Sequence, residues 1–407
     1  MVLYQYKITM LIVTFINDII FSIICIIKLI CNSLSLFNSD VIVLVPHAGF
    51  GHTLTCPDVA RRIYPQKKIV ILFFSEIGRH NHKVAKIINN LLLVFLPVGI
   101  NRSKIKHYFP KLLYKVFSLF KSKTVVRDIF HFYPKLINNR IKKIIQLQPL
   151  INKEIFTNSG PWVNSYYNIM QENVGIKIKI PDLILNNFKE RVNSNNNEIV
   201  SYYIRRKGKN SDPRKSSLLK EYYSSIELLI DKGYKVFLVG DVKIKDFPNK
   251  YHDKIFDHHK LKFNKNWYLI LAVYISKLFV GDTGGGTWFS TIFDKPTLLL
   301  NSFPLFYCHP NSHVLPKHLY NRMGNPVPIS DIFLHHYWDY TFDDGYTLEC
   351  NKSEEILSAT KEFLSHIQNK DWKGSLKTNE FIPNGTMLHI ANSKICNKWI
   401  DIQNGSG

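Results

Sequence analysis

The stretch GDTGGGTW, residues 281 to 288, contains the residue types of a site that binds an anion. It follows the apolar run Leu278 to Val280 and precedes a helix-like segment. Small residues at the start of a helix leave backbone N–H groups unobstructed, and these groups and the helix dipole attract negative charge. The stretch therefore predicts a phosphate-binding loop, with a flexible turn that tightens helix–sheet packing as the alternative. The loop comprises Asp282, Thr283, Gly284, Gly285, Gly286 and Thr287.

A cluster of cations after the apolar run 199–204 supplies the complementary charge. Arginine offers a planar donor fork that fits phosphate oxygens. Ligands of doubly wound sheets bind at the carboxyl ends of the strands, so we expect these cations to face the loop at 281–287. The alternative is a solvated basic loop. The cations are Arg205, Arg206, Lys207, Lys209, Arg214 and Lys215.

Two further strand ends carry polar residues. Gly240 and Asp241 end the run YKVFLVGD, where they either contact a ribose or simply turn the chain. The run 41–45 is followed by PHAGFGHTLTCPD, in which we expect His52 or Asp58 to deprotonate an acceptor hydroxyl, since either group can act as a general base. The alternative is a locally hydrogen-bonded histidine and a surface acid. The remaining residues expected on the acceptor side are His47, Gly49 and Gly51.

Several motifs of other site types are missing from the sequence. It contains no D-x-D, HExxH or GxSxG motif, no nucleotide-triphosphatase loop and no cysteine pairs with zinc spacing. Asp343 and Asp344 are adjacent, and a turn accounts for them better than a metal site does. We therefore expect neither a metal nor a cofactor.

The order of the apolar runs predicts two α/β domains. Strand, glycine-rich loop, helix and strand follow one another at 41–74, and the same pattern returns after the asparagine-rich linker at 190–198. We expect two Rossmann-like domains that face a cleft, at 38–190 for the acceptor and at 198–370 for the donor, and a C-terminal tail or helix at 371–407. The predicted strands are 41–45, 68–74, 199–206, 234–241, 277–282 and 296–301, and the main helices are 55–64, 212–233 and 266–276.

Two regions indicate contact with a membrane. The N-terminal segment 1–37 contains an apolar run from Ile8 to Ile30, which Asp18 and Lys28 interrupt. It predicts a single membrane anchor or a helix in the plane of the membrane, with a helix packed on the first domain as the alternative. Residues 101 to 153 predict basic amphipathic helices, which either cover the first domain or lie on anionic lipid. The formal net charge of +22 attracts polyanions in general.

Four segments resemble a family of bacterial glycosyltransferases of the GT-B fold from surface-polysaccharide and lipopolysaccharide gene clusters. They are YYIRRKG with the helix that follows it, GDTGGGTWFSTIFDKPTLLLNSFP, LPKHLYNRMGNPVPISDIF and LECNKSEEILSATKEFL. The arrangement is also distantly similar to heptosyltransferases and fucosyltransferases. The resemblance covers residues 40 to 400 and is weakest between 90 and 190.

The resemblance implies a metal-independent glycosyltransferase. Its donor is a nucleotide-diphosphate sugar, held by Arg205, Arg214 and the loop 281–287, and Gly51 with His52 match a Gly-His pair near the family's first strand. The implied acceptor is a surface glycan or a lipid-linked molecule, and the implied location is the cytoplasmic face of a bacterial inner membrane, with an anionic membrane surface as partner and no nucleic acid. A sugar-nucleotide epimerase of the same fold and a polyanion- or anionic-lipid-binding protein are the alternatives.

Overall fold

A computed structural model gives two compact α/β units. The described residues up to Arg127, with Ile180, belong to the first unit, and those from Pro181 onward belong to the second. The residues that the structure describes are 16, 19–20, 22–45, 52–75, 91–97, 105–119, 124–127, 180–192, 199–205, 218–303, 305, 308–334, 345–368, 379–382, 388 and 391–405.

The first unit contains a parallel sheet of four strands. Its order is β3-β2-β1-β4. All five residues of the central strand β1 are buried, because an apolar run covered on both faces forms the interior of a parallel sheet. The strands are β1 (Val41–Val45), β2 (Ile69–Ser75), β3 (Leu91–Pro97) and β4 (Thr124–Arg127).

Helices of the first unit include both expected and unexpected segments. The predicted helix at 55–64 is present within His52–Ile63, and Ile105–Ser118 forms one of the predicted basic helices. Thr124–Arg127, however, was predicted to be helical and is strand β4, paired in parallel with β1. Its two valines favour a strand, and the edge of the sheet tolerates the polar residues on either side.

The N-terminal segment is helical at the described residues 16, 19–20 and 22–31, and a short helix, Ser33–Phe37, follows. One face packs on the sheet: Cys25 and Leu36 are buried in a cluster with Ile42 and Leu72. This packing is the alternative considered for the segment. Among the helices that the structure describes, none combines the length and the apolar character needed to cross a membrane.

The second unit is built on a seven-stranded sheet with parallel pairing throughout. Its order is β13-β10-β9-β8-β5-β6-β7, and β11 and β12 form a separate antiparallel pair. The predicted strands at 199–206, 234–241, 277–282 and 296–301 are all present. The strands are β5 (Ile199–Ile204), β6 (Lys235–Gly240), β7 (Ile255–Phe256), β8 (Leu278–Asp282), β9 (Thr297–Ser302), β10 (Ser312–Pro316), β11 (His318–Tyr320), β12 (Thr347–Glu349) and β13 (Lys394–Ile395).

The helix before β6 begins later than the sequence predicts. Leu218 has an extended backbone and precedes a 3-10 turn, Leu219–Tyr222, so no continuous helix runs from residue 212 to Tyr223–Asp231. Its predicted end is confirmed, because Gly233 has a φ of +88° and donates to the carbonyl of Ile230. The remaining helices of this unit are Asp182–Val192, Lys265–Ile275, Trp288–Ile292, Ile329–Leu334, Ser353–Ile367 and Asn397–Gln403.

Each sheet has a point where the direction of chain winding reverses. In the second unit the chain runs from β5 outward to β6 and β7, then returns to β8 on the other side of β5. In the first unit the reversal lies between β1 and β4. Ligands of open α/β sheets bind beyond the carboxyl ends of the strands at such points. A ligand site in the second unit is therefore expected beside the loops that follow β5 and β8.

Candidate functional site

Arg205 and the glycine loop meet at the reversal point of the second sheet. Tyr203 on β5 pairs with Gly281 on β8, so the residues that follow these two strands are neighbours. Nη1 of Arg205 donates to the carbonyl oxygen of Thr283 at 3.2 Å. A methyl group placed on Gly284 would lie 3.1 Å from Cδ of Arg205. The expected juxtaposition of a strand-end arginine and the glycine loop is present for Arg205.

The glycines surround the aromatic ring of Tyr203. A Cβ atom on Gly286 would lie 2.6 Å from the ring, and one on Gly284 would lie 3.0 Å from the hydroxyl oxygen. Gly240, which has a φ of +113°, approaches the same ring from β6. Burial raises the pKa of Tyr203 to about 12, although the nearby charge of Arg205 lowers it. Close packing against one tyrosine is therefore part of the reason for the glycine-rich sequence.

Two amide groups of the loop can donate hydrogen bonds to an anion. Gly284 and Gly285 are partly exposed, and their N–H groups make no hydrogen bond within the part of the chain that the structure describes. The other predicted amide, the N–H of Gly286, faces the hydroxyl oxygen of Tyr203 and lowers the pKa of that tyrosine. The helix that follows, Trp288–Ile292, has only five residues, so the expected help from a helix dipole is small. Among the described residues, the groups at this loop that can donate to an anion are therefore Arg205 and the two peptide nitrogens.

Asp282 is buried and holds the two strand ends together. Its carboxylate accepts hydrogen bonds from the Arg205 backbone N–H at 2.9 Å, from the Tyr222 hydroxyl at 2.5 Å and from Nδ2 of Asn301 at 3.2 Å. Burial raises the pKa of Asp282 to about 6, although these three hydrogen bonds and the charge of Lys317 lower it. The predicted contact of Asp282 with a donor is corrected by this geometry, because the carboxylate faces protein groups. Its effect on a ligand would pass through the position of Arg205.

The hydroxyl of Thr287 also does not have the ligand-facing position that the sequence predicts. Its side chain is fully buried, and its hydroxyl donates to the carbonyl of Gly284 at 2.5 Å. The same oxygen lies 3.0 Å from Nε2 of His309, whose Nδ1 bonds to Thr291. Burial lowers the pKa of His309 to about 3, so this imidazole is neutral at pH 7. Thr287 and His309 therefore fix the conformation of the loop, while the Thr287 hydroxyl is not presented to a ligand.

A cavity of about 600 Å³ is lined by residues that follow β6 and by residues on both sides of the two-residue strand β7. Asp241 at the end of β6 is exposed, so its predicted contact with a ribose stays a prediction. Among the described residues, no group of three histidine, cysteine, aspartate or glutamate side chains could hold a metal ion. The cavity is lined by Lys243, Ile244, Lys245, His252, Asp253, Asp257, His259 and Lys260.

The acceptor-side residues are described only in part. His52 begins the helix that follows β1, and its side chain lies outside the described residues. Asp58 is neither a surface acid nor an accessible base, because it is fully buried and paired with Arg62 at 3.0 Å. Eight further residues of the predicted sites lie outside the described residues, namely His47, Gly49, Gly51, Arg206, Lys207, Lys209, Arg214 and Lys215.

Sequence reasoning missed the residues that organise the loop from a distance. Tyr222 and Asn301 reach Asp282 across 60 and 19 positions of the chain. Asn301 also accepts from the backbone N–H of Asn351 at 2.8 Å and joins a further segment to the site. No local spacing indicates such contacts. The one available signal was the position of Asn301 at the end of a buried apolar run.

Comparison with known proteins gives distant structural similarity. The chain matches no protein-family model and no curated protein sequence. It is similar to a glycosyl transferase family 9 structure from Veillonella parvula, with a TM-score of 0.46 and 14% identity over 80% of this chain and 97% of that one. The E. coli ADP-heptose lps heptosyltransferase II has a TM-score of 0.44 and 12% identity over 81% of this chain and 99% of that one. The E. coli heptosyltransferase WaaC with ADP has a TM-score of 0.37 and 14% identity over 68% of this chain and 90% of that one.

Proposed function

We propose that this chain is a metal-independent GT-B glycosyltransferase whose second unit binds a nucleotide-diphosphate sugar. The observation that carries the proposal is the placement of Arg205 beside Gly284, which together with the adjoining Gly285 is partly exposed. These groups lie at the reversal point of a parallel sheet, where open α/β sheets bind ligands. A guanidinium group and two peptide nitrogens form a donor set suited to the oxygens of a diphosphate.

Sugar transfer places negative charge where these donors are. The bond between the anomeric carbon and the distal phosphate oxygen breaks, and a bond from the acceptor oxygen to that carbon forms. The nucleoside diphosphate leaves with the bonding electron pair, and Arg205 and the two amides stabilise the charge that develops on it. The acceptor proton passes to a base, for which we propose His52, because Asp58 is already paired with Arg62.

The neighbouring cavity is suited to the nucleoside part of the donor. It begins directly beyond β6, the strand next to β5, and its volume of about 600 Å³ lies in the range of small-molecule sites. Asp241 stands exposed between Arg205 and this cavity along the sheet edge, where a carboxylate can accept from ribose hydroxyl groups. We propose a surface glycan or a lipid-linked molecule as the acceptor.

The donor site can be tested by binding. UDP, GDP, CMP and ADP would be titrated against the purified chain, with ADP-heptose included because similar solved structures are named for it. We expect one nucleoside diphosphate to raise the melting temperature, since a ligand bound to the folded state stabilises it. Arg205→Ala should weaken that binding at least tenfold, because a hydrogen bond to a charged group contributes about 1.5–3 kcal/mol.

The matched control is Lys232→Ala, which removes an exposed cation that precedes β6, at the opposite end of that strand from Asp241. It should bind the nucleotide as the unmodified chain does. Equal loss in both variants would indicate general attraction to basic surface, and no loss in Arg205→Ala would refute the donor site. Release of the nucleoside diphosphate should also require an added acceptor, such as a lipid-linked oligosaccharide extract. Turnover of the donor alone would favour an epimerase.

A further inference from the structure

One side of the first unit carries most of the exposed apolar side chains of the described chain. Twelve of the seventeen large apolar residues that are exposed lie on the N-terminal helical segment, on Ser33–Phe37, or on and directly after Ile105–Ser118. Single exposed apolar residues are common on protein surfaces, whereas a contiguous group marks an interaction site. The twelve are Ile16, Ile19, Ile20, Ile23, Ile26, Ile27, Ile30, Leu34, Phe37, Leu112, Val116 and Leu119.

The isoleucines form a single stripe along the N-terminal helix. They recur at intervals of three and four residues, which is the spacing of one helical face. Each is between 44% and 65% exposed. Cys25, nine residues beyond Ile16, is 2% exposed and points to the opposite side, where it packs on the sheet. The helix is therefore held on the protein by one face while the other presents isoleucine outward.

The helix Ile105–Ser118 repeats this arrangement on the same side of the sheet. Leu113 is buried in the cluster that contains Cys25, and Tyr114 and Phe117 pack against it. Leu112 and Val116, one helical turn apart, are exposed, and Lys115 is exposed to one side of them. Because these helices pack on one face of one sheet, their outward faces share one surface. We call this surface, which comprises the twelve residues with Lys28 and Lys115, the apolar platform.

We propose that the apolar platform docks in the plane of an anionic lipid bilayer. A helix with one apolar face and flanking cations lies in the interface with its apolar face buried about 5–10 Å. The charge of the chain supports a bilayer over a second copy, because two chains of +22 repel each other whereas anionic lipid attracts them. An in-plane position also fits the buried Cys25 and Leu36, since a helix that crossed the bilayer would leave the sheet. This proposal is independent of the donor site.

The test is sedimentation of the full chain with phosphatidylcholine vesicles, with and without phosphatidylglycerol. We expect binding, stronger with phosphatidylglycerol, and release by alkaline carbonate.

Ile23→Asp combined with Ile27→Asp should lower the partition coefficient at least tenfold, because charges then enter the apolar layer. Lys28→Glu with Lys115→Glu should weaken binding only to the anionic vesicles. Leu218→Asp and Met323→Asp, at residues 64% and 81% exposed in the second unit, are the matched controls and should bind normally.

Every other result overturns the proposal. Absence of binding by the unmodified chain, or unchanged binding of the isoleucine variant, would remove the lipid partner. Retention after carbonate treatment would indicate a spanning helix. Light scattering that shows a dimer, converted to a monomer by the isoleucine change, would assign the platform to a second copy. Should the double variant misfold by circular dichroism, Ile27→Asn alone, at a half-exposed residue, carries the same test.

Discussion

At the scale of single residues, the proposed donor site depends on a buried carboxylate. Asp282 accepts from the backbone N–H of Arg205 and from Tyr222, so it fixes the start of the segment whose side chain borders the loop. Its burial gives a pKa of about 6, above the ordinary value of 3.8. Burial of this carboxylate costs stability, since a buried environment disfavours the charged form. In return, its hydrogen bonds fix the position of Arg205.

Asp282 should make stability depend on pH in a defined direction. Because the folded pKa lies above the unfolded value, the folded chain retains a proton between pH 3.8 and about 6 that the unfolded chain has released. The contribution of this group is therefore full below pH 3.8 and is lost as the pH rises through 6. We expect the unmodified chain to lose about 2 kcal/mol relative to Asp282→Asn between pH 4 and 7, measured by urea unfolding.

The control for this pH dependence is Ser201→Ala, which removes a buried hydroxyl group of β5 that does not titrate. Its stability difference from the unmodified chain should stay constant over the same range. A constant difference between the unmodified chain and Asp282→Asn would contradict the raised pKa. In the donor-binding assay, Asp282→Asn should still bind, but more weakly, because Arg205 loses its fixed position rather than its charge.

At the scale of elements, strand β5 and the loop after β8 are matched by shape. The ring of Tyr203 on β5 occupies the space that side chains at 284 and 286 would need. Gly284 and Gly286 therefore both make room for Tyr203, and Gly284 and Gly285 are also partly exposed. The sequence offered tight packing and anion binding as alternatives; the packing is present at Gly284 and Gly286, and anion binding stays a prediction.

Tyr203 and Gly286 should behave as a coupled pair. Gly286→Ala places a methyl group 2.6 Å from the ring and should cost about 1–3 kcal/mol of unfolding free energy. In a chain that already carries Tyr203→Ala, the same change should cost much less, because the ring is gone. Urea unfolding of the four proteins gives the interaction energy directly. Additive costs would show that the glycine is required by something other than the tyrosine.

Elements were predictable where a strand is buried on both faces. The runs at 41–45 and 277–282 are continuous apolar segments, so their type follows from composition alone. Thr124–Arg127 was not predictable, because a four-residue edge strand beside lysine-rich helices lacks a period of its own. The segment LLKEY at 218–222 consists largely of good helix-forming residues, so the sequence did not predict that the helix begins only at Tyr223. The network around Asp282 joins distant segments, and only tertiary structure brings them together.

At the scale of the whole molecule, the charge of +22 has two uses in this account. In the proposed donor site of the second unit, Arg205 beside Gly284 and Gly285 would recognise a diphosphate. On the proposed membrane surface of the first unit, cations beside an apolar surface would attract anionic lipid. A protein that only bound polyanions would need neither the glycine loop nor the isoleucine stripe. The two activities should therefore be separable by mutation and by salt.

Each variant should weaken one of the two binding activities and leave the other unchanged. Arg205→Ala should weaken nucleotide binding at least tenfold and leave vesicle binding unchanged, whereas Ile23→Asp with Ile27→Asp should do the reverse. Raising the salt to about 0.5 M should weaken attraction to anionic vesicles strongly, because exposed charges are screened. It should weaken nucleotide binding less, since Arg205 is partly buried. Titration calorimetry and sedimentation on the same preparations measure both. If one variant abolished both activities in a folded protein, a single basic surface would explain them, and the assignment of separate sites to the two units would fail.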